Sequence, residues 1–152
     1  MDALWAAVQD SSFAGVVRNS TFVYPIANVT HVVAVIAFFG IVAVMDLRLL
    51  QVFGGAPASQ VIARLRPVAL FILLAIVMAG LILFSAEAVA LARNTAFRIK
   101  IAAIGLALLN LAVNEWSLRN YGEAAPLVRF TAGISLLAWL LIAALGRTIA
   151  YV

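Results

Sequence analysis

Cysteine is absent from this 152-residue sequence, and histidine occurs once, as His31. The lack of cysteine excludes disulfides, thiolate metal sites, iron–sulfur clusters and cysteine nucleophiles. With one imidazole, a single copy of the chain has no histidine-rich metal cage and no pair of histidine ligands for haem. Any imidazole chemistry therefore depends on His31.

Charge is also scarce. Charged residues make up 11% of the sequence, against about 25% in soluble proteins. Hydrophobic residues make up 66% and the mean hydropathy is +1.16, so the charges are too few to cover a water-facing globule and we predict a membrane protein. Ten Lys and Arg residues give a net charge of +4 without forming a basic run, so the expected partner is the lipid bilayer and not nucleic acid.

Four of the segments that contain no Asp, Glu, Lys or Arg are candidate spans, and their lengths are 27, 20, 14 and 17 residues. They cover 19–45, 67–86, 101–114 and 130–146. A membrane-spanning helix needs about 20 residues, within a range of about 17–25, so three segments are long enough. The third becomes a span only if it extends from about Thr95 to Ser117. Its edges then carry Arg98, Lys100 and Glu115, which snorkel or face a polar interior.

The predicted fold is all-α, a single transmembrane domain over residues 1–152 that forms an up-down-up-down four-helix bundle. The predicted spans are about 22–45, 67–86, 96–117 and 127–149. Apolar residues recur at helical spacing within 2–17, among Asp and Ser residues. This pattern predicts a short amphipathic helix that lies in the membrane interface.

The distribution of Lys and Arg among the short loops indicates the orientation. Five lie on the N-terminal side and five on the opposite side. When Arg98 and Lys100 are set aside as partly intramembrane, three remain against five. This balance favours both termini on the outer side, which is the periplasm in a Gram-negative bacterium.

Polar residues inside the spans are the main pointers to function, because each is costly in hydrocarbon. Tyr24, Asn28 and His31 are spaced i, i+4 and i+7 and predict one polar stripe on the first span. Counted by depth, Met78 on the second span lies level with His31. Lys100 and Glu87 gather near Tyr24 at the N-terminal surface. The candidate cofactor-binding residues are therefore His31, Met78, Tyr24, Asn28, Lys100 and Glu87, with His31 as the candidate metal ligand.

His31 has three open interpretations: an interhelical hydrogen bond, a ligand to haem b or copper, or a proton carrier. Met78 is either a packing residue or a second, soft ligand. Glu87 either forms an interfacial ion pair with Lys100 or Arg98, or it anchors an anionic headgroup or a haem propionate.

Other polar residues are interpreted as structural. Asp46 and Arg48 are predicted to form a pair at the end of the first span. Asn110 and Asn114, four residues apart on the third span, are predicted to form hydrogen bonds to a neighbouring helix.

Two groups of residues carry a family resemblance. The first contains Arg18-Asn19-Ser20, Tyr24-Pro25, Asn28, Thr30-His31, Gly40 and Asp46-Leu47-Arg48-Leu49-Leu50, and the second runs from Asn94 to Lys100 and adds Asn110. In these residues the chain resembles a family of uncharacterised bacterial four-helix membrane proteins, which implies a multi-pass protein of the bacterial inner (cytoplasmic) membrane. More distantly, a histidine on a glycine-containing first helix is similar to copper-resistance D-type and b-type cytochrome membrane proteins, which implies haem b or copper.

Three functional hypotheses follow. In the first, the protein is a redox, metal-handling or haem-handling membrane component that uses His31. In the second, it is a non-catalytic anchor or assembly subunit that forms a homo-oligomer or binds partner membrane subunits through small-residue faces such as Ala75/Ala79 and Ala103/Ala107. A small transporter ranks last, because no mid-span carboxylate is predicted to couple ions. We expect no catalytic activity of the chain on its own.

Overall fold

The computed structural model describes residues 2–148, and within that range all regular secondary structure is helical. The elements are α1 (Asp2–Gln9), α2 (Ser12–Asn19), α3 (Val23–Leu49), α4 (Ala58–Ala86), α5 (Ala88–Arg93), α6 (Thr95–Tyr121) and α7 (Pro126–Thr148). The predicted all-α fold is confirmed.

Four of these helices, α3, α4, α6 and α7, are long and apolar enough to cross a membrane. They coincide with the four predicted spans, so the prediction of a multi-pass membrane protein is confirmed. The charge-poor segment of 14 residues does extend in both directions, because α6 runs from Thr95 to Tyr121. The predicted end of the fourth span, at residue 149, lies outside the described residues.

Three spans are longer than predicted, and one of them is α6, which continues to Tyr121 instead of ending near residue 117. α3 continues to Leu49 instead of ending near residue 45, and α4 begins at Ala58 instead of residue 67. Pro67, which the sequence placed at a helix start, consequently lies inside α4. The predicted ends were set by Asp46 and Arg66, but both charged residues lie within helices where a partner from another helix contacts them.

A carboxylate from a distant loop starts α4. The backbone N–H groups of Ala58 and Ser59 donate to the two oxygens of Glu123, at 3.0 and 2.7 Å. These groups have no partner inside the helix, so an external acceptor satisfies them. The bonds from Ser59 above all, which favour the charged carboxylate, lower the pKa of Glu123 below its ordinary value. Glu123 thereby fixes the loop between α6 and α7 to the beginning of α4.

The N-terminal region forms two short helices where a single helix over 2–17 was predicted. The Ser11 hydroxyl accepts a hydrogen bond from the backbone N–H of Ala14 at 3.2 Å and begins α2 as a new helix. Trp5 on α1 packs edge-on against Phe84 near the end of α4, with ring centroids 5.5 Å apart. The pair of helices therefore packs on the same end of the bundle as the start of α3 and the end of α4.

The four long helices form an arc and not a closed square. α3 packs on both α4 and α7, and α7 packs on α6. At the centre, the rings of Phe38 and Trp139 meet edge to face with centroids 4.8 Å apart, beside Val42 and Ala107. α4 and α6 stand at the two ends of the arc with no comparable contact between them in the described chain.

The small-residue faces proposed for partner binding are partly used within the chain itself. Ala79 and Ala107 are both buried, and Ala107 belongs to the central apolar cluster. These two positions therefore serve internal helix packing.

Candidate functional site

His31 on α3 is seated against the backbone of α4. Its Nδ1 lies 3.0 Å from the carbonyl oxygen of Ile76. A Cβ atom at Gly80 would lie 3.3 Å from the imidazole Cε1, so the glycine makes room for the ring. Because a carbonyl oxygen only accepts, Nδ1 carries the proton and donates, and Nε2 keeps its lone pair. The imidazole is half-buried, with one nitrogen committed to the helix backbone.

Lys100 on α6 is seated in a similar way against α7. A Cβ atom at Gly146 would lie 3.3 Å from the Lys100 Nζ atom and 3.7 Å from its Cε atom. The ammonium group is also close enough to His31 to act on the imidazole electrostatically. We call these four residues, His31, Gly80, Lys100 and Gly146, the histidine end of the bundle.

The structure does not bring Met78 and His31 together within one chain, and the role of Met78 as a second ligand stays a prediction. His31 contacts α4 at Ile76 and Gly80, which are four residues apart and share one face of the helix. Met78 is two residues from each, about 200° around the helix, and it is 53% exposed. Among the side chains that the structure describes, no three His, Asp or Glu residues are grouped to hold a metal ion.

The other predicted residues of this region are dispersed. Tyr24 is half-buried, but Asn28 is exposed on α3. Glu87 is exposed at the break between α4 and α5, in a shallow depression that it shares with Gln9 and Arg18. No ion pair of Glu87 occurs within residues 2–148, so the predicted pair with Lys100 or Arg98 is not formed.

The opposite end of the bundle contains a cleft between α4 and α6, with α3 and α7 as its floor. Its volume is about 340 Å³. The apolar part of its lining includes Phe38, Val42, Leu73, Leu108, Leu111 and Trp139. The polar part consists of Asp46, Arg66, Asn114, Glu115, Arg119 and Ser135. The cleft therefore has an apolar wall and a polar group of residues, which we call the aspartate end.

Asp46 is the most unusual side chain of the cleft. The residue is only 7% exposed, and the Ser135 side chain of α7 lies close to its carboxyl group. Its Oδ2 atom is buried and has no hydrogen-bond partner among the described residues. Buried polar atoms are almost always paired, so an orphaned carboxyl oxygen that borders a cavity calls for a partner from outside the chain.

The predicted pair of Asp46 with Arg48 is wrong. The Arg48 guanidinium donates to the carbonyl oxygens of Phe53 and Ala56, in the loop that follows α3. Residues two apart on a helix point in nearly opposite directions. Asp46 therefore faces α7 while Arg48 faces the loop.

A group of three charged residues bridges the cleft. Both terminal nitrogens of Arg66 on α4 donate to the carboxylate of Glu115 on α6, and Nη1 lies 3.1 Å from Oε1. The Arg119 Nε atom donates to the same Glu115 oxygen at 2.5 Å. These side chains are partly exposed. They link α4 and α6 at this end of the bundle, as the stacked rings of Phe84 and Phe97 do at the other end, with centroids 5.5 Å apart.

Asn110 and Asn114 hold α6 to α7, and their predicted interhelical role is confirmed. The Asn114 amide donates to the Val128 carbonyl at 3.1 Å and to the Thr131 hydroxyl at 2.7 Å. The Asn110 amide donates to the Thr131 carbonyl at 2.9 Å. These bonds fix the side of α7 that carries Ser135, and so they position the partner of Asp46.

The sequence contains a signal for the aspartate end on α7. Thr131, Ser135 and Trp139 follow one another at four-residue spacing on α7, and all three are buried. A stripe of hydroxyl groups beside an aromatic ring, together with an acidic residue at the end of a long apolar segment, would have indicated a second polar site.

Comparison with known proteins identifies the family to which the chain belongs. Residues 5–152 match the model of a family described as "Family of unknown function (DUF6644)". No match was found among curated proteins or among solved structures. The resemblance to copper-resistance and b-type cytochrome proteins gains no support from these comparisons.

Proposed function

We propose that this chain, which belongs to the DUF6644 family of unknown function, is a membrane-embedded binding protein whose cleft between α4 and α6 receives an amphiphilic small molecule. The lining of the cleft carries this proposal, because an apolar wall and a polar end fit the tail and the head of such a molecule. A volume of about 340 Å³ lies at the lower end of the range of small-molecule sites, roughly 300–1,000 Å³.

The rim of the cleft supports entry of the ligand from the bilayer. Leu70, Leu108 and Leu111 line the cleft and are 55%, 40% and 42% exposed. All three lie within helices that are long and apolar enough to cross the membrane. A molecule dissolved in the hydrocarbon layer therefore reaches the apolar wall laterally, without crossing a polar surface.

Fluorescence of Trp139 tests this proposal, because its ring lines the cleft and is only 7% exposed. In a variant with Trp5→Phe and Trp116→Phe, Trp139 is the only tryptophan. Single-chain amphiphiles with brominated tails quench a tryptophan that they contact. We expect saturable quenching of Trp139 by at least one of an amine, an alcohol and a carboxylate of equal chain length.

Two controls separate cleft binding from general partitioning into the micelle. A variant that retains only Trp116, which is exposed on α6, reports non-specific quenching and is not expected to saturate. Ala112→Phe fills the cleft and is expected to abolish saturation at Trp139, whereas Ala102→Phe, on an exposed position of α6 outside the lining, leaves it intact. Equal, non-saturable quenching of Trp139 and Trp116 contradicts the proposal.

A second candidate function, metal or haem handling through His31, rests on one observation. Donation from Nδ1 to a backbone carbonyl fixes the tautomer of a histidine and directs Nε2 toward a metal, and His31 makes this bond to Ile76. Since Met78 lies on the opposite face of α4, the remaining ligand of a haem b or copper ion comes from a second copy of the chain or a partner subunit. The absorption spectrum and copper content of protein purified from supplemented cells test this. A Soret band or stoichiometric copper that is lost in His31→Ala supports it, and absence of both from the parent protein rejects it.

The location follows from the balance of Lys and Arg. We infer residence in the bacterial cytoplasmic membrane with both termini in the periplasm, which places the aspartate end on the cytoplasmic side. Fusions of alkaline phosphatase and green fluorescent protein to the C-terminus test the orientation. Active phosphatase with a dark fluorescent fusion is expected, and the reverse pattern overturns it.

A further inference from the structure

The chemistry of the cleft points to the class of its ligand. We propose that the head of the bound amphiphile is a protonated amine and that it donates to Asp46; this inference rests on the proposed function of the cleft. The side chain of Asp46 supplies the first argument. Its Oδ2 atom is buried without a partner beside a cavity, and the residue is 93% buried.

The two cations that line the cleft, Arg66 and Arg119, are already paired with a carboxylate. Arg66 makes two hydrogen bonds to Glu115, and Arg119 donates to the same carboxylate. The terminal nitrogens of Arg48 donate to carbonyl groups of the loop after α3; its buried Nε atom has no partner among the described residues, but Arg48 does not line the cleft. The donor that completes Asp46 therefore comes from outside the chain.

The neutral donors of Asn114 and Thr131, next to the cleft, already form hydrogen bonds elsewhere. The Asn114 amide donates to Val128 and Thr131, and the Thr131 hydroxyl donates back to a carbonyl of its own helix. The Ser135 side chain lies close to the Asp46 carboxyl group, and Oδ2 has no hydrogen-bond partner among the described residues. One acceptor atom thus remains, and it belongs to a residue that lines the cavity.

An ammonium head group supplies both a hydrogen-bond donor and a positive charge to Oδ2 of Asp46. It has N–H donors for Oδ2, and its charge compensates the carboxylate in a site of low dielectric. An alcohol offers the donor without the charge. The tail of the molecule then lies along the apolar wall beside Phe38, Leu73 and Trp139.

A carboxylate amphiphile is the competing ligand, because arginines belong to the group of charged residues that bridges the cleft. Arg66 and Arg119 share one Glu115 carboxylate, so this group carries one positive charge in excess. An anionic head that binds there places its charge near Asp46, which opposes binding. An amine at Asp46 gains attraction without displacing the ion pairs.

The test uses the variant that retains only Trp139 and compares brominated amphiphiles of equal chain length that carry an amine, an alcohol or a carboxylate. The amine is expected to reach half-saturation at a concentration about tenfold lower than the alcohol, the usual advantage of a hydrogen bond to a charged group. In Asp46→Asn, the amine is expected to reach half-saturation at the same concentration as the alcohol. Glu123→Gln, which removes a carboxylate that caps α4 and does not line the cleft, is the matched control and leaves the preference unchanged.

Each outcome separates this inference from the proposed function. Saturable binding without an advantage for the amine, or tighter binding of the carboxylate, overturns the ligand class and leaves the cleft as a binding site. The absence of saturable quenching of Trp139 by all three molecules overturns the proposed function as well. If Asp46→Asn does not fold, as judged by size exclusion and circular dichroism, the comparison of the three head groups on the parent protein still decides the proposal.

Discussion

The histidine end and the aspartate end differ in how their polar groups are satisfied. At the histidine end, His31 and Lys100 each lie against a glycine of an adjacent helix, and His31 donates to the backbone of α4. At the aspartate end, Asp46, Arg66 and Glu115 face a gap between helices, and one oxygen has no partner. Both ends contain titratable groups inside spans.

This difference separates a structural polar residue from a candidate for binding. A polar side chain in a span is costly, and close packing against the backbone of another helix removes the cost, as it does for His31. Where a cavity and an unpaired polar atom occur together, as at Asp46, the chain itself does not offset the free-energy cost of burying that atom. A ligand that donates a hydrogen bond to the atom is then expected to offset it. The depth of a polar residue in the membrane does not distinguish the two cases.

The largest effect is expected from the charges that bridge the cleft. Glu115→Ala leaves the Arg66 and Arg119 guanidinium groups without their carboxylate. The free energy of unfolding in detergent is expected to fall by about 2 kcal/mol, less than for a fully buried ion pair because these side chains are partly exposed. Denaturant titration measures the loss. The double variant Arg66→Met with Glu115→Leu is expected to recover most of it, and an unchanged stability of Glu115→Ala contradicts the role of the bridge.

Substitutions of similar size at the two ends are expected to change stability in opposite directions. His31→Phe removes the hydrogen bond to Ile76 and lowers the free energy of unfolding by about 1 kcal/mol. Asp46→Asn replaces a buried carboxyl group that lacks a full set of partners and is expected to raise the free energy of unfolding by about 1 kcal/mol in ligand-free protein. The same titration measures both variants. If Asp46→Asn is as destabilising as His31→Phe, the distinction between the two ends fails.

The contact between His31 and α4 depends on the absence of a side chain at Gly80. A Cβ atom there lies 3.3 Å from the imidazole Cε1, so Gly80→Ala pushes the ring away from Ile76 and is expected to cost about 1 kcal/mol. In a His31→Ala background the same substitution is expected to be nearly neutral. A double-mutant cycle measures the coupling free energy between Gly80 and His31. If Gly80→Ala lowers the free energy of unfolding equally in both backgrounds, the effect of the substitution does not depend on His31.

The smallest effect concerns the Glu123 cap at the start of α4. The pKa of Glu123 is lowered in the folded protein. Glu123 therefore stabilises the fold fully at pH values above 4.5, its ordinary pKa. This contribution disappears as the pH falls through the lowered folded pKa. Glu123→Gln is expected to cost about 0.5 kcal/mol at neutral pH, a low value for a lost cap because the carboxylate is exposed. Unfolding curves at pH 7 and pH 3 check this: the difference between parent and variant narrows at pH 3, and a constant difference contradicts the assignment.

The sequence predicted the spans well because their length is set by the bilayer. The third span shows this most clearly, since a charge-free segment of 14 residues was extended through Lys100 and Glu115 and α6 does contain both. The ends of α3 and α4 were missed because Asp46 and Arg66 were interpreted as exits from the membrane. Their partners, Ser135 and Glu115, are distant in sequence and come near only in the folded chain.

The candidate site was less predictable for a geometric reason. Counting residues gives the depth of a side chain but not its direction around the helix. Met78 was chosen because it lies level with His31, yet Ile76 and Gly80 are the residues of α4 that face the imidazole. Asp46 and Arg48 were paired because they are near in sequence, although they point to opposite sides. The rotation of each helix follows from packing and is not contained in a count of residues.

Photo-crosslinking tests most directly whether the aspartate end is the binding site. A long-chain primary amine with a diazirine in its tail is incubated with the detergent-solubilised parent protein, irradiated and mapped by peptide mass spectrometry, with and without excess dodecylamine. The account predicts competable labelling of cleft residues such as Leu70, Leu108 and Leu111, and its loss in Ala112→Phe. Competable labelling confined to the helix segments around His31 and Gly80 contradicts it.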